Sequence, residues 1–402
     1  MNDNPLHGVR VLVSGVGIGG PALAYWLSRY GAEVTVVEIA PALRHSGFAV
    51  DFRGPTHLSV LEKMGVLDEL KALQTHGGAM SAVAEDGREI FRLPEAFAGG
   101  DVEVLRRDLS RIFYERSAAR AEYRFGDAIT GLTPVGDQVR ADFAAAASAT
   151  FDLVVGTDGL HSAVRGLAFG PEPRYVRHLG FYVAGWDLPN DLRAGPTPQQ
   201  YNVPGRMASV RSDPGDPGRA LAFSVFAGPR LDYDARDAGQ QKQIVADALG
   251  GMGWHVPRLL GALRDAPELY FDSICRVRVP GWTAGRVALL GDAAWGVTLG
   301  GMGVGTGVVG AYVLAGELAR SGGDHLAGLA AYEHRMRGYA GRWQRGANPG
   351  QFLAPTTATR LRLRNMMFAN RLVQRLLVAS TKSLATDAGL PDYPAPGAVA
   401  DF

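Results

Sequence analysis

Apolar positions fall along this chain in two alternating styles. Val9 to Val13 is a β-branched run broken only by Arg10. It leads into helical spacing, with Leu23, Trp26 and Leu27 on one face, and then a second apolar run, Val34 to Val37. Leu153 to Val155 and "RVALL" (286–290) repeat this short continuous pattern, which predicts strands of a parallel sheet covered on both faces. Residues 173–275 behave differently. "GFYVAGWDL", "MASVRSD" and "RALAFSVFAG" are separated by the breakers "AGPTPQQ" and "DPGDPG", predicting a mostly antiparallel sheet. "SAVAEDGREIFRL" (81–93) alternates around Asp86-Gly87, a hairpin signal, and "DAGQQKQIVADAL" (237–249) predicts a helix.

One segment resists both styles. Ala293 to Gly316 contains no charged side chain over 24 residues, long enough to cross a bilayer. Eight of those residues are glycine, crowded towards the first half, and each costs a helix about 1 kcal/mol relative to alanine. The run therefore predicts a loop that feeds a helix from about Gly303 to Ala319.

Composition narrows the class. With 402 residues, 47% of them hydrophobic, the chain can bury a core for two or three domains. The 41 basic and 40 acidic residues nearly cancel, giving no electrostatic case for nucleic acid or an anionic membrane as partner. Cys275 is the only cysteine, and no histidine spacing matches a metal site, so no metal is expected. No cationic, apolar leader precedes the first strand, and a reducing cytoplasm is the expected location.

Candidate chemistry lies at the ends of the apolar runs. Gly15-x-Gly17-x-x-Gly20, with Ile18 and Gly19 between, sits after a strand and before a helix, with Glu38 eighteen residues beyond Gly20. Gly15 permits the tight turn, Gly17 lets backbone approach a pyrophosphate, and Gly20 allows close helix–strand contact. The helix start offers unpaired N–H groups to phosphate, and Glu38 can accept from ribose hydroxyls. This predicts a dinucleotide site without deciding between NAD and FAD. Asp158-Gly159, followed by Ser162 and Arg165, ends another strand. It reads equally as a ligand site or as a capped helix start. Gly291-Asp292 is a third carboxylate at a strand end.

The three segments together resemble the class A FAD-dependent monooxygenases, the para-hydroxybenzoate hydroxylase fold group, including actinobacterial and tetracycline-inactivating members. The resemblance implies an α/β fold: a Rossmann-like, GR2-type FAD domain (1–76, 101–172, 276–345) interleaved with an antiparallel substrate domain (77–100, 173–275). A C-terminal covering helix and tail (346–402) complete it. It further implies that Gly15 to Gly20, Glu38, Ile39, Asp51 in "SGFAVDFRGP", Arg106 in "EVLRRDLSRIF", Asp158, Gly159, Gly291 and Asp292 meet FAD. N–H groups at Gly301, Met302, Gly303 and Val304 would stabilise charge at the flavin N1 and C2 carbonyl.

NADPH or NADH would reduce the flavin, and O2 would then form a C4a-hydroperoxide that oxygenates a mostly apolar, aromatic or polyketide-like small molecule. Asp51 and Trp295 are the candidates for the flavin's reactive edge. Tyr182, Trp186, Tyr201, Phe223 and Phe226 are as a group candidates for substrate contact, while ordinary core packing explains most of them individually. The chain departs from the family in Trp295, in the proline-free "GVTLGG", in glycine at 305 and 307, and in Ile39 where arginine is common. These departures motivate an alternative, an FAD oxidase or dehydrogenase. A non-catalytic flavin- or ligand-binding protein is the third reading.

Overall fold

The structure is a computed structural model that describes residues 4–43, 49–75, 80–94, 100–234, 237–300, 303–344, 348–376 and 389–393. Its centre is a six-stranded sheet. The order is Thr283–Ala284, Val287–Leu289, Leu153–Gly156, Arg10–Ser14, Glu33–Glu38 and Ala121–Phe125. All neighbours are parallel except the first pair. Val11 pairs with both Leu153 and Val34, so segments 142 residues apart are placed side by side. Being covered on both faces, these strands are apolar throughout: Val11, Leu12 and Val13 are fully buried.

Helix Gly19–Arg29 packs on this sheet, and beside it runs helix Gly303–Arg320. Every residue of the latter from Gly305 to Ala319 is buried in protein. Among the described residues no helix is long and apolar enough to cross a membrane. The uncharged run is therefore a core helix and the turn that feeds it.

A seven-stranded sheet forms the second layer. Its order is Tyr270–Val277, Val176–Pro189, Arg219–Ala227, Arg206–Ser212, Gln199–Val203, Ser81–Val83 and Glu89–Arg92. All pairs are antiparallel except Gln199–Val203 with Ser81–Val83. Helices Ala238–Leu249 and Val256–Asp265 cover one face. Asp237 caps the first by accepting from the Gln240 N–H at 2.9 Å. The opposite face gathers Phe181, Val183, Met207 and Val225 against Leu299 of the turn after Trp295, and so faces the parallel sheet.

Two ion pairs also tie the layers together. Arg107 grips Asp213 with both guanidinium nitrogens at 3.1 Å, and Arg211 lies 3.8 Å from Glu103.

The C-terminal segment divides. Helix Ala358–Ala369 lies over strand Glu89–Arg92, with Phe368 against Phe91. It covers one edge of the substrate sheet rather than both layers. Residues 389–393 return to the parallel-sheet side without regular secondary structure. There Tyr393 packs on Tyr312 and donates to Glu317 at 2.7 Å.

Candidate active site

The glycine loop is held from behind. Gly15 has φ +103°, and a Cβ added at Gly20 would lie 2.0 Å from the Gly15 carbonyl oxygen, so only glycine admits this turn. Gly17 is open: a Cβ there would meet nothing closer than the Arg106 guanidinium at 3.8 Å. Glu38 accepts from the N–H of Val16 at 2.8 Å and of Ala40 at 2.9 Å, which fixes its carboxylate at the end of its strand. Ile18 precedes the helix and provides no side-chain cap, leaving the first-turn N–H groups for a ligand. Gly19 sits against Leu290, and Ile39 is 59% exposed beside the loop.

Asp158 does different work. Its carboxylate accepts from Ser14 Oγ (3.3 Å), Ser162 Oγ (2.5 Å) and the Val164 N–H (3.1 Å). Ser162 in turn caps the following helix by accepting from the Arg165 N–H at 3.0 Å. Of the two readings of this segment, the structure selects the capped turn for the Asp158 side chain, with Gly159 (φ +80°) completing it. Arg165, fully buried, then donates to the Ala293 carbonyl at 3.0 Å and couples this turn to the third one.

At that third turn, Gly291 adopts φ +64° and Asp292 projects outward. No hydrogen-bond or ion-pair partner meets the Asp292 side chain among the described residues. The carboxylate is open to solvent, yet enclosed closely enough that desolvation raises its pKa, with the Arg106 charge opposing. These two facts together describe an accessible carboxylate with protein packed closely around it. Arg106, half-buried, likewise has no hydrogen-bond partner among the described residues.

Gly303 begins the long helix close by, where a Cβ would sit 3.1 Å from Asp292 Oδ1. Val304 follows, half-buried in the same first turn. Gly301 and Met302 lie outside the described residues. Gly17, Arg106, Asp292 and this helix start thus converge on one crevice, with N–H groups, a guanidinium and a carboxylate that have no partner among the described residues.

His57 belongs to this region and carries no sequence signal. It is 1% exposed, accepts from the Arg53 N–H through Nδ1 at 3.1 Å, and leaves Nε2 buried without a partner among the described residues. The Nδ1 contact fixes the proton on Nε2.

Two candidates for the reactive edge stand differently from expectation. Asp51 is ion-paired with Arg53 rather than free; burial raises its pKa and Arg53 lowers it. Trp295 is a core residue. It is 3% exposed, stacks near Trp282 at 4.5 Å and donates its indole N–H to Thr306 at 3.3 Å. The short helix Asp292–Trp295 turns its last residue inward, away from the position expected for the flavin's reactive edge.

Residues 8–171 match the FAD-binding domain family model. A flavin-dependent monooxygenase from an unknown prokaryote is 34% identical over 338 residues, covering 83% of this chain and 87% of the relative. The chain belongs to the flavin-dependent monooxygenases.

An uncharacterised Mycobacterium tuberculosis protein shares 40% identity with this monooxygenase over 341 residues, 83% of the chain and 91% of the relative. The crystal structure of tetracycline destructase Tet(55) superposes with TM-score 0.80 at 30% identity, covering 98% and 100% of the two chains. Klebsiella pneumoniae HpxO, complexed with FAD and uric acid, shares the fold at TM-score 0.74 and 20% identity.

The substrate sheet of this monooxygenase corrects the aromatic assignments. Tyr182 stacks between Phe226 and Phe271, at 5.5 and 5.6 Å, on the helix-covered face. Trp186 lies on the same face and donates to the Leu259 carbonyl at 3.2 Å; Tyr201 packs on Trp254. These four are core. Phe223 alone points to the opposite face, towards the crevice side, and is partly exposed. Side chains alternate along a strand, so 223 and 226 fall on opposite sides.

Proposed function

We propose that this monooxygenase takes electrons from NADPH or NADH, consumes O2 and places one oxygen atom on a mostly apolar, aromatic or polyketide-like small molecule. The observation that carries the reading is the convergence of unpaired groups at Gly17, Arg106 and Asp292. Three polar features that have no partner among the described residues in one crevice suit a ligand with a pyrophosphate and hydroxyl groups. The residues present fit FAD.

Gly17 and the first-turn N–H groups after Ile18 would hold the pyrophosphate, and Glu38 the adenosine ribose. Arg106 and Asp292 would take the ribityl and phosphate part. N–H groups at Gly303 and Val304 would meet negative charge at the pyrimidine edge, with the buried His57 ring packed behind that helix turn at Gly305. When bound, FAD supplies hydride acceptance and O2 activation.

The chain's own contribution is position and dryness. Arg165 and Asp158 brace the turns, while Phe223 and Leu299, partly exposed over the buried Val225 and Met207, present an apolar wall that excludes water from the reaction. A planar, fused-ring substrate suits such a wall, in keeping with the likeness to tetracycline destructases. The test is turnover of a polyketide panel with NADPH under 18O2. Consumption of NADPH coupled to one labelled oxygen in the product supports the proposal. Hydrogen peroxide with a desaturated product would instead mark an oxidase or dehydrogenase.

A further inference from the structure

Among the described residues, helix Ala358–Ala369 and the turn-and-a-half after it touch the protein with one face only. Phe368 rests on Phe91 with ring centroids 5.6 Å apart, and Arg364 turns inward to the carbonyls of Phe352 and Leu353. Beyond Asn370, Gln374 donates to the Arg92 carbonyl at 2.9 Å. Both pieces thus use the same strand, Glu89–Arg92, as their floor.

The face turned away from that floor is apolar. Leu363, Met366 and Met367 are 56%, 71% and 45% exposed, at the i, i+3, i+4 spacing of a single stripe. Leu372 and Leu376, at i and i+4, are 64% and 63% exposed. A contiguous run of large exposed side chains marks an interaction surface, whereas scattered ones do not. At 100° per residue, exposed Arg362 and Arg360 fall on the two borders of the Leu363–Met366–Met367 stripe. Exposed Arg371 and Arg375 lie together along one border of the Leu372–Leu376 pair. From Pro349 to Leu376 there is no acidic residue. The whole chain's near-neutral balance conceals this local concentration.

We infer that this face docks on an anionic lipid surface. Its leucines and methionines enter the headgroup boundary while the bordering arginines pair with lipid phosphates, which is the layout of an interfacial helix. A second copy of the chain is a poorer occupant, because a two-fold contact would set arginines against arginines, and Glu89, which lines the same cleft as Arg371, is already paired with Arg92. The sequence favoured a covering helix here. The outward direction of the stripe reverses that preference and, with it, the expectation of no membrane partner.

The test uses full-length, flavin-loaded protein sedimented with vesicles. It is expected to pellet with equimolar phosphatidylcholine and phosphatidylglycerol, to stay in solution with phosphatidylcholine alone, and to be released by high salt. Leu363→Glu with Leu372→Glu should lower binding more than tenfold at unchanged melting temperature, since both side chains face solvent. Each of Arg362→Gln and Arg371→Gln should lower it about fivefold. Failure to pellet with the mixed vesicles overturns the inference. So does binding that the glutamate variants leave intact, or a dimer in light scattering that those variants dissolve.

Discussion

The His57 imidazole occupies the space that a side chain at Gly305 would fill: a Cβ there would lie 2.2 Å from His57 Cε1. Glycine in the first turn of the long helix is therefore the notch that admits the histidine ring, and residues 248 apart in sequence form one unit. Gly305→Ala must displace the ring. FAD affinity, read by quenching of flavin fluorescence on titration, should fall at least tenfold, with about 1–3 kcal/mol lost from stability.

His57 also makes a pH prediction. Burial lowers its pKa to about 4, against 6.5 in an unfolded chain. Between those values the unfolded state binds the proton and the folded state does not, so stability falls as pH drops from 6.5 to 4. The loss from this group approaches about 3 kcal/mol. Urea midpoints across that range should decline less steeply in His57→Phe than in the parent.

The opposite sign holds at His161. It contacts Glu172 through Nδ1 at 3.0 Å and Asp272 through Nε2 at 3.2 Å, joining the Asp158 turn to the substrate sheet. Hydrogen bonds to Asp272 and Glu172 push its pKa up to about 10. Its stabilisation is complete below pH 6.5 and is lost as pH rises towards 10. Being half-exposed, the pair is screened, so the effect is modest. Asp272→Asn should weaken this alkaline decline, measured by urea midpoints from pH 7 upward.

Phe223 and Phe226 separate core from cavity. Phe226→Ala should cost about 3–5 kcal/mol of stability and leave KM nearly unchanged, because its ring is 3% exposed within the helix-covered core. Phe223→Ala should raise KM with little change in melting temperature. Thermal melts and steady-state kinetics on the same samples distinguish the two.

What was legible in the sequence followed local rules. The parallel strands, the glycine loop and Glu38 were readable because continuous apolar runs and close-approach glycines act within 30 residues. The hairpin at Asp86-Gly87 and the capped helix after Asp237 were readable for the same reason. The faces of the substrate sheet were not. Alternation reveals two sides without telling which one the helices Ala238–Leu249 and Val256–Asp265 will cover, and four of the five aromatic candidates lie on the covered one. Trp295 was misplaced because a one-turn helix reversed its direction. His57 was invisible because its partner glycine is distant in the chain, and only Gly305's departure from the family pattern hinted at it.

The most direct test of the account is the flavin content of purified parent, Arg106→Ala and Asp292→Ala proteins, each prepared without detergent and titrated with FAD. The parent is expected to be yellow and to bind one FAD per chain. Each variant should fold normally yet bind about 10–100-fold more weakly, as loss of a charged hydrogen bond implies. A colourless parent that refuses added FAD, or variants that keep their full flavin, would contradict the claim that these turns enclose one cofactor.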